Sequence, residues 1–136
     1  MARVATSILL NDDCKMLILK RSEKVKTYKG FWGGVAGYVE ENEKPYETAI
    51  KEIKEEVGLD KEYFKLIKRL DPIKFSDFYE NKKYDWEIFV FLFKINKKSK
   101  IKIDWEHSEY RWINPSEIDK FNTVPHLKDI VKKLIF

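Results

Sequence analysis

Apolar runs separated by short polar segments mark the N-terminal part of the chain. Residues 4–10 and 16–20 are rich in branched apolar side chains, and the polar residues 11–13 between them are typical of a turn, so the pattern predicts a β-hairpin. The polar residues 22–29 predict a loop. Residues 30–39 hold four of the five glycines among Trp, Val and Tyr, which predicts strand and loop segments with close backbone approaches.

The central part of the chain predicts one helix followed by three strands. Pro45 stands in the first turn of a helical segment over residues 46–57, and Gly58 follows its last residue, an arrangement typical of helix ends. The β-rich stretches after this helix predict strands over residues 63–70, 73–79 and 84–95, of which the last is the strongest.

The C-terminal part predicts a turn over residues 96–100, a strand over residues 109–113 and two helices. Pro115 begins a short helix and Pro125 begins a second one. The second helix carries an apolar stripe at helical spacing, made of Leu127, Ile130, Val131, Leu134 and Ile135. Strands with a helix between them and helices after them are typical of an α/β sandwich, in which this stripe packs on the sheet.

Length and composition favour one globular domain over residues 1–136. The chain has 136 residues, of which 43% are hydrophobic and 15% aromatic, and this content excludes a disordered chain. The longest apolar run, residues 88–93, is far shorter than a membrane span, so no membrane partner is expected.

The charge of the chain is mildly basic and dispersed. Lys and Arg number 27 against 23 Asp and Glu, a net charge of +4, and no block of five like charges occurs. A nucleic-acid-binding surface would concentrate its basic residues, so a solvated surface is the better interpretation and no nucleic-acid partner is expected.

Cys14 is the only cysteine, which excludes an intramolecular disulfide and a thiolate metal cluster. The N-terminal segment has neither the apolar length nor the cleavage site of a secretory signal. We therefore expect a reducing, cytoplasmic location.

The predicted helix carries an unusual acidic face. Glu52, Glu55 and Glu56 are spaced i, i+3 and i+4, which places them within about 100° of arc around the helix. Like charges at this spacing destabilise an isolated helix, although Lys51 and Lys54 provide some relief. The face is either a solvated surface or a site for a hard divalent cation such as Mg²⁺, which takes oxygen ligands.

The helix lies within a longer motif that resembles the Nudix box of the Nudix hydrolases. The motif reads Gly37-x5-Glu43-x7-Lys51-Glu52-Ile53-Lys54-Glu55-Glu56-Val57-Gly58-Leu59. Lys51 replaces the usual arginine and is the one departure within the box, and a match this long has a small chance of being accidental. Residues 17–21, 30–32 and 105–112 resemble the family more weakly.

The resemblance implies a Nudix fold, an α/β/α sandwich around a mixed curved sheet. It implies Mg²⁺-dependent hydrolysis, with Mn²⁺ as an alternative, of a nucleoside diphosphate linked to another group, an acid anhydride of phosphorus. The products would be a nucleoside monophosphate and a phosphorylated remainder. Rival substrates are (d)NTPs, ADP-ribose or nucleotide sugars, and dinucleoside polyphosphates. A nucleotide-sensing module without hydrolysis is the alternative from another class, and either a monomer or a homodimer is compatible with the sequence.

The resemblance also assigns roles to individual residues. The catalytic residues would be Glu52, Glu55 and Glu56, and the metal ligands would be these three, the carbonyl of Ala36 and the carboxylate of Glu106. Glu52 would either bind metal or orient the attacking water, and the general base stays open. Glu43 would support the site by pairing with Lys51 or by binding the loop.

Residues outside the box have an ordinary alternative beside the functional one. Glu106 could be a surface residue, and Arg21 could either bind phosphate or be a surface charge at a strand end. His107 would orient Glu106 or serve a structural role, and Trp32 is predicted to lie in the core. Four further aromatic residues are candidates for stacking on a base or for the core: Tyr28, Phe75, Trp86 and Trp105.

Overall fold

The computed structural model describes residues 2–96 and 99–136, which form eight strands and two α-helices. The strands are β1 (Ala2–Leu10), β2 (Met16–Arg21), β3 (Trp32–Gly33), β4 (Val35–Tyr38), β5 (Phe64–Arg69), β6 (Ile73–Tyr79), β7 (Lys82–Ile95) and β8 (His107–Ile113). The helices are α1 (Pro45–Val57) and α2 (Leu127–Ile135), and 3₁₀ turns cover Lys61–Tyr63 and Pro115–Lys120.

Strand β1 lies at the centre of a mixed sheet. It pairs antiparallel with β2 and β4 and parallel with β7, in a register that runs from Ala2 opposite Trp86 to Leu10 opposite Lys94. Strand β2 also pairs with β3 and β8, and β7 pairs with β5 and β6. Register shifts within the β2–β8 and β5–β7 pairs are irregularities of the kind that curve a sheet.

The two helices cover opposite faces of this sheet. Ala49, Ile53 and Val57 of α1 lie in one buried cluster, and the apolar stripe of α2 lies in a second. The structure therefore confirms the α/β/α sandwich and the mixed curved sheet. None of the described helices has the length and apolar content that crossing a membrane would require.

Several element boundaries differ from the sequence prediction. Helix α2 begins at Leu127 instead of Pro125, because His126 has a left-handed backbone with φ of 70° and cannot continue a helix. Strands β1, β7 and β8 each begin two residues earlier than predicted, because pairing with neighbouring strands extends them. Of the turn predicted over residues 96–100, residues 97 and 98 lie outside the described residues.

Candidate active site

Helix α1 is fixed by its ends and by its buried face. Pro45 occupies the first turn, and Gly58 ends the helix with a left-handed φ of 74°, which glycine adopts without strain. Ala49, Ile53 and Val57 pack into the core, at 1%, 0% and 0% exposure. Because these apolar residues set the rotation of the helix, the glutamates that neighbour them are carried to the side facing β4 and the loop before β8.

A hydrogen-bonded clamp around Glu43 joins the loop before α1 to the helix. Glu43 Oε1 accepts hydrogen bonds from Thr48 Oγ1 at 2.6 Å and from the Glu40 N–H at 3.2 Å. Lys51 Nζ donates to Glu43 Oε2 at 2.8 Å. These bonds, led by that from Lys51, lower the pKa of Glu43 to about 2. The structure thus brings Glu43 and Lys51 together at the start of the helix.

Glu52 lies directly against β4. A Cβ atom at position 37 would overlap the Glu52 carboxyl group, so any other residue there would require that carboxyl group to move. Burial raises the pKa of Glu52, and the negative charge of Glu55 raises it further. Ala36, next to Gly37, pairs with Thr6 of β1, so the sheet holds its backbone beside this close contact.

Glu56 is a carboxyl group enclosed by the protein. The residue is 1% exposed, and its Oε2 atom has no hydrogen-bond partner among the described residues. Its Oε1 atom lies 3.6 Å from His107 Nε2. Burial first, then a hydrogen bond with Glu52 and the charge of Glu106, raise the pKa of Glu56 well above its usual value. The carboxyl group of Glu56 is therefore the most strongly perturbed by burial among the glutamates of this face.

The loop between β7 and β8 reaches the C-terminal end of α1 through its backbone. The Lys102 N–H donates to Val57 O at 2.9 Å, and the Asp104 N–H donates to Glu56 O at 3.2 Å. Because these bonds hold the loop along the helix, Glu106 lies next to the acidic face of α1.

Glu106 is half-buried and sits among charges of both signs. Burial raises its pKa, the charge of Asp104 raises it further, and the cation of Arg21 opposes this rise. The Ser22 N–H donates to Glu106 O at 2.8 Å, and Ser22 Oγ donates to Trp105 O at 2.8 Å. The loop that carries Glu106 is thereby tied to the end of β2 as well as to α1.

Arg21 lies between these carboxylates and the loop over residues 22–29. Its Nε atom donates to Thr27 O at 2.9 Å, and its Nη2 atom donates to Thr27 Oγ1 at 3.3 Å. Burial lowers the pKa of Arg21, while the carboxyl groups of Glu106 and Glu56 oppose this effect. The structure therefore places the guanidinium group of Arg21 beside the acidic residues.

The available donors fit a hard divalent cation. The oxygen ligands that Mg²⁺ and Mn²⁺ prefer are offered by the carboxylates of Glu52, Glu55, Glu56 and Glu106 and by the carbonyl of Ala36. The unpartnered oxygen of Glu56 is a buried polar atom that such an ion would satisfy. As the side chains stand, no three His, Cys, Asp or Glu residues within 2–96 and 99–136 form a group that could hold a metal ion. To bind a cation with these ligands, the exposed side chain of Glu55 would have to turn towards Glu52 and Glu56.

Comparison with known proteins shows the family. The NUDIX domain family matches residues 1–134. The chain belongs to the Nudix hydrolase family. An RNA pyrophosphohydrolase from Wolbachia pipientis is 29% identical over 143 residues, covering 94% of this chain and 83% of that protein. An isopentenyl-diphosphate Delta-isomerase from Haloarcula marismortui is 23% identical over 125 residues, and the chain spans 62% of its length.

A solved structure resembles nearly the whole chain. The dihydroneopterin triphosphate pyrophosphohydrolase from E. coli superposes with a TM-score of 0.81 at 22% identity, covering 98% of this chain and 94% of that one. At this identity the likeness speaks for the fold, which agrees with the sandwich described above. The Nudix box of this chain thus runs from β4 through α1 to Leu59.

His107 and Asp104 lie outside the Nudix box, and the sequence did not predict their contacts near Glu56. His107 was expected either to orient Glu106 or to serve a structural role, and its ring lies between Asp104, at 3.1 Å, and Glu56, at 3.6 Å. Burial lowers the pKa of His107, and the hydrogen bond with Asp104 opposes this. The spacing of an acidic residue three positions before a histidine was the available signal, and it is too common to be decisive alone.

The aromatic candidates divide into core and surface. Trp32 is 7% exposed and packs in the core, as predicted. Phe75 and Trp86 are partly buried at the edge of the same cluster, and Tyr28 is partly buried in the loop after β2. Trp105 is 61% exposed beside Glu106, so it is not a core residue.

Two open cavities of about 360 Å³ lie elsewhere. One is lined by Ile50, Lys54, Asp60, Lys61 and Glu62, and the other lies between β5 and the end of β7. None of the candidate metal-ligating residues lines either cavity, so the candidate site lies at the carboxylates of α1 and Glu106.

Proposed function

We propose that the protein is a Mg²⁺-dependent hydrolase, with Mn²⁺ as a substitute, of nucleoside diphosphates linked to another group. Hydrolysis of the phosphoanhydride bond would release a nucleoside monophosphate and a phosphorylated remainder. The family assignment and the named relatives support a hydrolase that acts on pyrophosphate bonds. The observation that carries the proposal is the buried Glu56, whose Oε2 atom has no hydrogen-bond partner among the described residues and which lies near Glu52, Glu106 and the cation of Arg21.

The metal would be held by the carboxylates of Glu52, Glu55, Glu56 and Glu106 and by the carbonyl of Ala36. Bound there, it would neutralise charge on the phosphate oxygens and lower the pKa of a water molecule. Glu52, which Gly37 admits close to β4, would either join the ligands or orient the attacking water. The general base is left unassigned, because each of these carboxylates could serve.

Arg21 would act on the substrate, and the pair of Glu43 and Lys51 would act on helix α1. Arg21 would bind a phosphate oxygen, since its cation lies beside the carboxylates while Thr27 holds its guanidinium group in place. The clamp of Glu43 and Lys51 would keep α1 in register with β4. Lys51 donates one bond where the family's arginine could donate two, so this brace has less geometric definition.

The substrate class stays open between several rivals. The name of a structural neighbour, dihydroneopterin triphosphate pyrophosphohydrolase, favours a triphosphate substrate, and a relative is named RNA pyrophosphohydrolase. ADP-ribose, nucleotide sugars and dinucleoside polyphosphates share the same reacting group. We propose a small nucleotide, with no nucleic-acid or membrane partner, because the basic residues are dispersed.

A product-release screen tests the proposal. The protein would be incubated with NTPs, dNTPs, ADP-ribose, nucleotide sugars and dinucleoside polyphosphates, each with Mg²⁺, with Mn²⁺ and with EDTA. We expect metal-dependent release of a nucleoside monophosphate from at least one class. Tight nucleotide binding without turnover across the panel would instead indicate a nucleotide-sensing module. Isopentenyl diphosphate would also be assayed for isomerisation, because one relative is named as an isopentenyl-diphosphate Delta-isomerase.

We also propose the domain extent, the compartment and the oligomeric state of the protein. We infer one Nudix domain over residues 1–136, because the family match spans nearly all of them. The lone Cys14, which is exposed and unpaired, fits a reducing and therefore cytoplasmic compartment. Sedimentation of the purified protein would distinguish a monomer from a homodimer.

A further inference from the structure

A row of aromatic rings, Tyr38, Trp86 and Tyr84, lies on the sheet face that α2 also covers. Trp86 and Tyr84 alternate along β7 and therefore share a face, with ring centroids 5.7 Å apart and planes inclined by 10°. Tyr38 of β4 continues the row, at 6.1 Å and 31° from Trp86. Lys82 Nζ lies 5.5 Å from the Tyr84 ring at the other end. We call these three rings the aromatic row.

A fixed carboxylate stands beside the aromatic row. Asp77 of β6 lies directly opposite Tyr84 in the antiparallel pair, so both side chains point to the same face. His126 Nε2 donates to Asp77 Oδ1 at 2.6 Å, and the His126 ring stacks on Phe75 at 3.6 Å and 14°. These contacts hold Asp77 in place, while 14% of its side chain stays accessible.

Arg21 connects the aromatic row with the carboxylates of the proposed function. Tyr38 follows Gly37 in β4, and because successive side chains alternate between faces, its ring lies on the face of β4 opposite to Glu52. Arg21, at the end of β2, is within electrostatic reach of Glu106, Glu56 and Tyr38. A ligand with a planar group on the row would therefore place its phosphates towards Arg21 and the carboxylates.

Two observations argue against a purely structural role for these groups. Tyr38 is 58% exposed, so its ring is not in the core, although it is held against Trp86. Tyr28, which packs on Tyr79 at 4.4 Å, has a buried hydroxyl group without a hydrogen-bond partner among the described residues. Tyr79 and Asp77 alternate along β6 and share a face, so the Tyr28 ring that packs on Tyr79 lies on the same side of the sheet as the aromatic row.

We propose that the aromatic row stacks on the base of the nucleotide, and that Asp77, held by His126, accepts hydrogen bonds from N–H groups of that base. Stacking requires a flat, accessible ring, which Tyr38 offers. A carboxylate is only an acceptor, so Asp77 favours bases that present donors. Guanine presents two adjacent donors, whereas the N–H of uracil is flanked by carbonyl oxygens that a carboxylate repels. This inference rests on the proposed function for the presence of a nucleotide.

The first test measures binding and does not depend on turnover. Calorimetric titration with GMP, AMP, UMP and ribose 5-phosphate would compare the protein with Tyr38→Ala, Tyr38→Phe and the control Tyr110→Ala, whose tyrosine is 41% exposed on β8. We expect Tyr38→Ala to weaken GMP and AMP binding about 5-fold or more and to leave ribose 5-phosphate unchanged. Tyr38→Phe and Tyr110→Ala should bind like the unaltered protein. Unchanged GMP binding, or an equal loss with ribose 5-phosphate, would overturn the stacking role.

The second test concerns Asp77. The unaltered protein should bind GMP about 5-fold or more tightly than UMP, and Asp77→Asn should bring the two affinities together. Melting curves of Asp77→Asn would verify that the fold is retained, and His126→Gln should show the same loss of preference in weaker form. An unchanged GMP-to-UMP ratio in a folded Asp77→Asn protein would overturn the role of Asp77. Base-dependent binding without hydrolysis would refute only the proposed function, and hydrolysis without base dependence would refute only this inference.

Discussion

Glu56 combines burial with an unsatisfied oxygen, and both have a cost in a protein without a bound cation. A carboxylate enclosed at 1% exposure loses its hydration, and this burial raises the pKa of Glu56 well above its usual value. The same enclosure would strengthen the attraction between a carboxylate and a divalent cation. Because a buried carboxyl group with an unsatisfied oxygen lowers the stability of the fold, a functional role explains this residue better than a structural one.

We expect Glu56→Gln to lose hydrolysis by at least about 100-fold while the fold survives. The amide has the size of the carboxyl group and is neutral, which suits a buried position, but it is a poor ligand for a hard cation. Steady-state rates and metal-free melting curves would be measured together. Turnover equal to that of the unaltered protein would rule out Glu56 as a metal ligand.

We expect Glu106→Gln to lower kcat by about 10- to 1,000-fold and to leave the melting temperature of the metal-free protein nearly unchanged. The reason is its position: the loop bonded to the end of α1 brings this half-buried carboxyl group to the acidic face.

Glu109→Gln is the matched control for Glu106, because Glu109 pairs with Arg111 at 3.0 Å on the surface of β8. Its effect on kcat should be much smaller. If the two variants behave alike, Glu106 is a surface residue and a further carboxylate must be sought, with Glu87 as the next candidate.

At the scale of the element, the clamp around Glu43 determines how α1 begins. The carboxylate accepts three hydrogen bonds, from Lys51, Thr48 and the Glu40 N–H, and its side chain is 19% exposed. We expect Glu43→Gln to destabilise the protein by about 1–2 kcal/mol, since hydrogen bonds to a charged group are lost. Urea unfolding at neutral pH would measure the change.

The same clamp predicts a dependence of stability on acid. The pKa of Glu43 is about 2 in the folded protein and 4.5 in its ordinary state, so the carboxylate stabilises the fold fully above pH 4.5. This contribution should fade as the pH falls from 4.5 to about 2, because the unfolded chain takes up a proton first. Glu43→Gln should remove that part of the acid dependence, whereas Asp60→Asn, which breaks the exposed pair with Lys54, should not.

At the scale of the whole molecule, a metal ion held by the proposed carboxylate ligands would couple metal binding to folding. An ion that binds only the folded protein stabilises it by about 2.7 kcal/mol at a hundred times its dissociation constant. We therefore expect Mg²⁺ or Mn²⁺ to raise the melting temperature by on the order of 10 °C, and EDTA to reverse the shift. Glu106→Gln should reduce the shift and Glu109→Gln should preserve it. A melting temperature indifferent to millimolar Mg²⁺ and to EDTA would contradict an assembled metal site.

The parts of the fold that depend on neighbours in sequence were predictable. Pro45, Gly58 and the periodic apolar residues predict α1 because propensity, end signals and pattern all agree within one short segment. The hairpin of β1 and β2 follows from two apolar runs and a polar turn. The predicted start of α2 was wrong, because His126 has a left-handed backbone. Its ring contacts Phe75 and Asp77, which lie on a strand remote in sequence, and no local pattern shows these contacts.

The sequence by itself determined the family and the acidic face, since the Nudix box is a local pattern that one helix and its two ends express in full. Only the tertiary structure decided which distant groups join that face. Glu106 and His107 arrive because backbone hydrogen bonds fasten the loop before β8 to the end of α1. The aromatic row arises because β4 and β7 both pair with β1, which brings Tyr38 to Trp86 across 48 residues of sequence. Contacts of this kind depend on strand pairing and packing between remote segments, and no local pattern along the chain encodes them.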